Sequence, residues 1–302
     1  MRKAFVPSAV DRYRPMMRTT LSRLLTPVAG RGRCDFMETV AEHYPIQVMC
    51  HVLGVASKDD EKFIAWNKAI AWAVSLDLGA QFDDAELGMK NMDDYVAGLV
   101  AERRSDPRQD LVTELVQAEE GGYRLSDDEL RSLIVSLLFA GYDTTRNQLG
   151  VAVWLFAQHP HQWARLAGEP DLVPRAVEEV MRFRGVVSVS PRFVVEDFDL
   201  DGYRLEAGVL LVLSTWAANH DPDAYERPHD FDITADREPQ LTFGGGPHCL
   251  GAGLARAEMQ EALPMLARAM PGLELDGEPT WRPPMGIQGP DALPIRFAAQ
   301  SR

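Results

Sequence analysis

Cysteine is scarce: Cys34, Cys50 and Cys249 are the only three in 302 residues. An odd count with no paired spacing excludes a disulfide framework and fits a reducing cytoplasm. Long apolar runs are missing as well. The longest, residues 133–142, is followed at once by Asp143 and Arg146, too short and too charged for a membrane span. The opening Met1-Arg-Lys-Ala-Phe-Val-Pro has basic residues with no apolar stretch behind them, so no secretory signal is read. Positive charge is in deficit, with 31 Lys plus Arg against 45 Asp plus Glu and a formal net charge of −14. A field of that sign repels phosphate backbones and disfavours nucleic acid as a partner. No internal repeat or low-complexity tract appears. What is there, 46% hydrophobic and 25% charged residues, is the balance of an ordinary globular protein.

The first 121 residues read as helices broken by short turns. Phe36, Val40, Ala41 and Tyr44 recur at helical intervals across residues 35–44, and further helices are expected around 66–74 and 92–102. The clearest element begins at Leu125-Ser-Asp-Asp-Glu. Ser126 and Glu129 have capping-box spacing, and Asp127 and Asp128 suit the positive end of a helix. The apolar pattern continues to about His159, where Pro160 stops it. Such a helix would span roughly 50 Å at about 1.5 Å per residue. Midway it carries Gly141, Asp143, Thr144 and Thr145, poor residues for a helix interior. Two shorter helices follow, ending near Phe183, then strand-like segments at 190–195, 198–204 around Asp201-Gly202, and 209–214. A Gly-rich loop at 242–253 precedes a helix over 254–270. Strands segregated from helices give a mostly α, α+β architecture.

The segment Phe243-Gly-Gly-Gly-Pro-His-Cys-Leu-Gly-Ala is the most informative. Glycines without Cβ let a flat ligand approach the backbone, and Cys249 stands where helix-end amides favour a thiolate. Taken alone, such a segment is more often a buried cysteine beside an ordinary turn. Its glycine spacing does not suit a dinucleotide loop, and no βαβ unit surrounds it.

In company with three other segments, this loop resembles the cysteine loop of the cytochrome P450 family, with Cys249 as the proximal haem thiolate. Ala140-Gly-Tyr-Asp-Thr-Thr resembles the oxygen-activating motif of the family's long central helix. Glu179-Val-Met-Arg resembles its Glu-x-x-Arg pair. Ala217-Ala-Asn-His-Asp-Pro with Phe231-Asp-Ile resembles the stretch before the cysteine loop of bacterial members. The resemblance covers essentially the whole chain. It implies the P450 fold in one domain over 1–302, heme b with an axial thiolate, and insertion of one atom of O₂ into an apolar organic substrate. A thiolate opposite O₂ favours O–O cleavage. The Thr144 hydroxyl, four residues after Ala140, can bond that carbonyl and loosen the helix. The resemblance assigns proton delivery to Asp143 and Thr144, and cofactor contacts to Ala140, Gly141, Phe243 and Gly244. Arg192 and His248 are implied to hold haem propionates, and Val186, Val187 and Val189 to line the substrate pocket. Electrons are expected from a separate ferredoxin with its reductase, docking near Arg256 and Arg268.

Two departures stand out. The family usually has one residue between the loop histidine and the cysteine, whereas His248 and Cys249 are adjacent. Neighbouring side chains of an extended chain point to opposite sides, which separates His248 from its family counterpart. In addition, Met1-Arg-Lys-Ala-Phe-Val-Pro resembles the interior of the third major helix, so the N-terminal quarter of the fold is expected to be absent. A rival reading, a non-catalytic scaffold of the same fold, draws on both departures; Cys249 and the intact 140–145 motif count against it.

Overall fold

The computed structural model describes residues 5–55, 59–73, 82–118, 124–245, 248–282 and 286–300. Helices α1 (Pro7–Asp11) and α2 (Arg14–Ala29) lead into a short strand, β1 (Arg33–Asp35). A continuous helix over 35–44 does not form. Asp35 is drawn into the strand, and its carboxylate caps the amide of Met37 at 2.8 Å and accepts from Leu293 at 3.2 Å. A single π-helical stretch (Met37–Ala41) follows, and α3 (Tyr44–Leu53) starts afresh, ending on Gly54 in the left-handed region at φ 74°.

Helices α4 (Asp60–Ala73), α5 (Phe82–Ser105) and α6 (Leu111–Gln117) come next; Val74, expected at the end of α4, lies outside the described residues. The long helix α7 (Asp127–Gln158) starts as the sequence predicts. Glu129 N–H donates to Ser126 Oγ at 3.2 Å, and Ser126 N–H donates to Glu129 Oε2 at 2.8 Å. Pro160 stops it and opens α8 (Pro160–Gly168), followed by α9 (Val173–Arg184).

Strand β2 (Val189–Phe193) leads to the hairpin β3 (Phe198–Leu200) and β4 (Tyr203–Leu205). That hairpin turns on Asp201 and Gly202 at φ 48° and 85°. Strand β5 (Leu210–Ser214) pairs antiparallel with β2, Val189 opposite Ser214 and Phe193 opposite Leu210. A short α10 (Thr215–Ala218), then α11 (Ala252–Ala269), precede β6 (Glu274–Leu275), β7 (Thr280–Trp281), β8 (Pro290–Ala292) and β9 (Pro294–Arg296). Strand β9 lies between β1 and β6, closing the two ends of the chain into one sheet.

The core is where α7, α3, α8, α9 and α11 pack, with Leu138, Leu149, Phe156, Val180, Leu263 and Leu266 wholly or almost wholly buried. One apolar cluster runs from Phe5 to Phe297. Among the described residues no helix is long and apolar enough to cross a membrane.

Candidate active site

The middle of α7 is polar and buried, and this answers why a long helix carries such poor helix formers. The helix runs through 140–150 without a break. The Thr144 hydroxyl donates to Ala140 O at 2.6 Å, and Asn147 Nδ2 donates to Asp143 O at 2.7 Å, so side chains supplement the ladder over successive turns. Asp143, Arg146 and Gln148 are 1–2% exposed, and each is tied to another part of the chain. Asp143 takes Nη1 of Arg282 on both carboxylate oxygens, at 2.8 and 2.9 Å. Arg146 reaches Glu42 at 3.2 Å. Gln148 reaches the backbone of Arg184 and Val186. These partners satisfy groups whose burial would otherwise be costly.

Three of the expected site residues lie outside the lining of the cavity described below. Asp143 does not line the cavity described below, because its carboxylate is held by Arg282. Burial lowers the pKa of that guanidinium, but the Asp143 and Asp291 carboxylates outweigh burial and hold it above the ordinary arginine value. Gly141 does not face the cavity either. A Cβ placed there would come within 2.4 Å of Met49 Sδ, so this glycine serves the close approach of α3 to α7. Ala140 lies on the exposed face of α7 and contributes its carbonyl to Thr144.

The loop before α11 is ordered by the chain rather than by a strand. Cys249 N–H donates to Phe243 O at 2.9 Å, and Ala252 N–H donates to Cys249 O at 3.2 Å as α11 begins. Gly244 has φ 97°, a conformation that suits glycine and leaves no Cβ beside the cavity. Cys249 is exposed, so the buried-cysteine reading fails, and it stands just ahead of the α11 N-terminus. His248 is exposed outside the cavity. Its Nδ1 is 3.4 Å from Gly244 O and its ring centroid 6.0 Å from that of Phe243. Gly246 and Pro247, within the expected loop, lie outside the described residues.

A cavity of about 300 Å³ gathers Thr144, Thr145 and Gln148 from α7 with Phe243, Gly244 and Cys249 from the loop. Met181, Val186, Val187, Ala255 and Met259 supply its apolar surface, and Ser190, Arg192, Thr215 and Thr242 complete it. Val189 is not part of the lining. Arg192 is exposed at the rim, its guanidinium donating to Ser190 Oγ at 2.7 Å and Pro191 O at 2.8 Å.

Glu179 and Arg182 form a buried two-bond pair at 2.8 and 2.9 Å. Arg182 also donates to the carbonyls of Asn219, Pro228 and Asp230. A third member, Arg237, reaches Glu179 at 3.1 Å. Nothing local in the sequence marks Arg237, or Arg282 opposite Asp143. Arg256, expected near a partner-docking surface, grips Glu178 at 2.6 and 3.1 Å and lies 4.5 Å over the Phe243 ring.

The donor set fits a thiolate-ligated haem. One exposed sulfur faces an apolar cavity, a glycine-lined approach runs beside it, and a guanidinium stands at the rim for a carboxylate. The comparisons agree. The family model described as cytochrome P450 matches residues 61–269. The luteothin monooxygenase of Streptomyces thioluteus is 37% identical over 302 residues, covering 98% of this chain and 73% of that protein. The mycinamicin IV hydroxylase/epoxidase of Micromonospora griseorubida is 35% identical over 300 residues, covering 97% of this chain and 75% of that protein. Among solved structures, P450BioI in complex with hexadec-9Z-enoic acid ligated acyl carrier protein matches at TM-score 0.93 and 30% identity, covering 98% of this chain and 77% of that one.

Proposed function

Because the chain belongs to the cytochrome P450 family and is a haem-thiolate monooxygenase acting on an organic substrate with O₂ and a redox partner, we propose that Cys249 is its iron ligand and Thr144 its proton-handling residue. The observation that supports this most is that one cavity brings the two together from segments far apart in the chain. The scaffold reading has no comparable support.

When bound, the haem supplies the reductive activation of O₂, with the thiolate favouring O–O cleavage. Ligation by Cys249 is supported by the hydrogen bond from its backbone N–H to Phe243 O, which holds the residue beside the cavity just ahead of α11. Thr144 holds its proton at Oγ1 toward Ala140 O and keeps lone pairs for a donor in the cavity. Asp143 stays on Arg282, so its part in proton delivery is to fix the register of α7 beside Thr144. Met181, Val186, Val187 and Met259 exclude water and favour an apolar substrate. Arg192, at the rim, is assigned to a propionate and His248 is not.

A ferredoxin with its reductase is the proposed electron source. Arg268, exposed on α11, supports docking of an acidic partner, whereas Arg256 is already paired. Three free thiols support a reducing cytoplasm. The apolar cluster that the described residues form, from Phe5 to Phe297, supports one domain over 1–302.

The test is the reduced, CO-bound difference spectrum of the haem-supplied protein. A red-shifted thiolate-type Soret band, lost in Cys249→Ala, is the expected result. A histidine-type band, or a thiolate band that survives Cys249→Ala, would overturn the assignment.

A further inference from the structure

The segment from Arg184 to Ser188 leaves α9 and forms part of the cavity wall, yet among the described residues no strand pairs with Arg184 or Gly185. Helix α9 ends at Gly185, whose φ and ψ of −67° and 136° leave the helix. The Arg184 carbonyl and the Val186 amide are thereby stranded at a helix end, where backbone groups lack partners. One side chain takes both. Gln148 Nε2 donates to Arg184 O at 3.0 Å, and Gln148 Oε1 accepts from Val186 N–H at 3.1 Å. A single amide therefore acts as a one-residue strand partner on either side of Gly185.

Gly185 has no room to shift. A Cβ there would meet Thr242 Cγ2 at 2.5 Å and Met181 O at 2.8 Å, so the backbone passes directly against the cysteine-loop segment. Farther along, Thr215 Oγ1 donates to Val187 O at 2.8 Å, and Gln288 N–H donates to Val186 O at 2.9 Å. Gln148 is 2% exposed, lines the cavity itself, and lies one turn of α7 beyond Thr144. It thus fixes the distance between the helix that carries Thr144 and the wall that carries Val186 and Val187.

The geometry points to Gln148 as the residue that positions this wall and so sets which substrate shapes the cavity accepts. The inference rests on the monooxygenase reading for its functional half. The clamp itself stands on the hydrogen bonds alone.

The experiment compares the parent with Gln148→Leu, which retains the volume and removes both hydrogen bonds. Amide exchange at Val186, read on the haem-free chain, is expected to quicken about tenfold as its partner is lost. In haem-loaded protein, imidazole is expected to bind with nearly parental affinity, because it is too small to meet the wall. The affinity for 4-phenylimidazole is expected to change by about fivefold or more, a differential effect that a uniform loss of binding would not give. Unchanged exchange at Val186 overturns the clamp, and equal shifts for the two azoles overturn its role in selectivity. Failure to load haem would count against the reading above, while the exchange measurement would still decide the clamp. Should Gln148→Leu not fold, Gln148→Met, whose flexible thioether fills a similar volume and also removes both hydrogen bonds, takes its place. The same two readouts then apply, and their staying parental would overturn the proposal.

Discussion

Nη1 of Arg282 bridges both carboxylate oxygens of Asp143, while Nε of the same guanidinium reaches Asp291 at 3.1 Å. Arg282, the residue just after β7, thus holds the acidic residue of the central helix, inside protein where Asp143 is 1% exposed. Removing one partner leaves a buried charge unpaired. Arg282→Ala is expected to lower stability by about 3–5 kcal/mol. Asp143→Asn added to it should restore part of the loss, because the pair acts as a unit. Denaturant unfolding of the two single variants and the double variant checks this; additive losses would show that the contact is not coupled.

Gly141 offers a second test, because two rules disagree about it. Alanine is the better helix former by about 1 kcal/mol in a helix interior. Against that, the new Cβ would press on Met49 Sδ at 2.4 Å, Cε at 2.9 Å and Cγ at 2.9 Å. Met49 is 1% exposed and has little room to yield. Overpacking costs about 1–3 kcal/mol, so Gly141→Ala should unfold at lower denaturant than the parent. A higher midpoint would mean that Met49 repacks without strain, and that the glycine answers to something other than the α3 contact.

These two residues also mark the boundary of what the sequence makes legible. Signals carried within a few residues came through: the Ser126–Glu129 box, the stop at Pro160, the turn on Asp201-Gly202, and the ordered motifs around Thr144, Glu179 and Cys249. Partners separated by much of the chain did not. Asp143 meets Arg282 across 139 residues, and Arg237 joins Glu179 from a loop with no pattern of its own. The Asp-Thr-Thr run reads the same whether its acid faces the cavity or Arg282, since helical spacing does not say which neighbour covers which face. Asp35 misled for the same reason. Its periodicity is helical, but pairing of β1 with β9 and the Asp35 caps outweigh it.

The two-stranded β2–β5 sheet and the adjoining β3–β4 hairpin present apolar side chains to solvent. Phe193, Val195 and Tyr203 are 74%, 89% and 75% exposed, with Leu210 and Val212 beside them. An exposed apolar patch of this kind favours self-association. Phe193→Lys with Val195→Lys is expected to reduce light scattering and dye binding at high protein concentration. The unfolding free energy should stay within about 0.5 kcal/mol of the parent's, since neither side chain is packed. Scattering unchanged by the pair of lysines would place the association surface elsewhere.

Glu258 on α11 is 1% exposed, and its Oε2 has no hydrogen-bond partner among the described residues. Burial raises its carboxyl pKa well above the ordinary 4.5. The folded chain therefore binds a proton that the unfolded chain releases once pH passes the ordinary carboxyl value. Any contribution from this group to stability is complete below about pH 4.5 and is lost as pH rises through the folded pKa. Glu258→Gln keeps the shape and removes the titration. Relative to the parent, the variant should gain stability as pH is raised from about 4.5, and the gain should level off only where the parent's carboxyl ionises in the folded state. Thermal unfolding of both proteins across that range reads the difference directly, with other titrating groups cancelling between them. A difference that stays flat with pH would mean that Glu258 finds a charge partner or water inside the fold, and that its burial carries no proton.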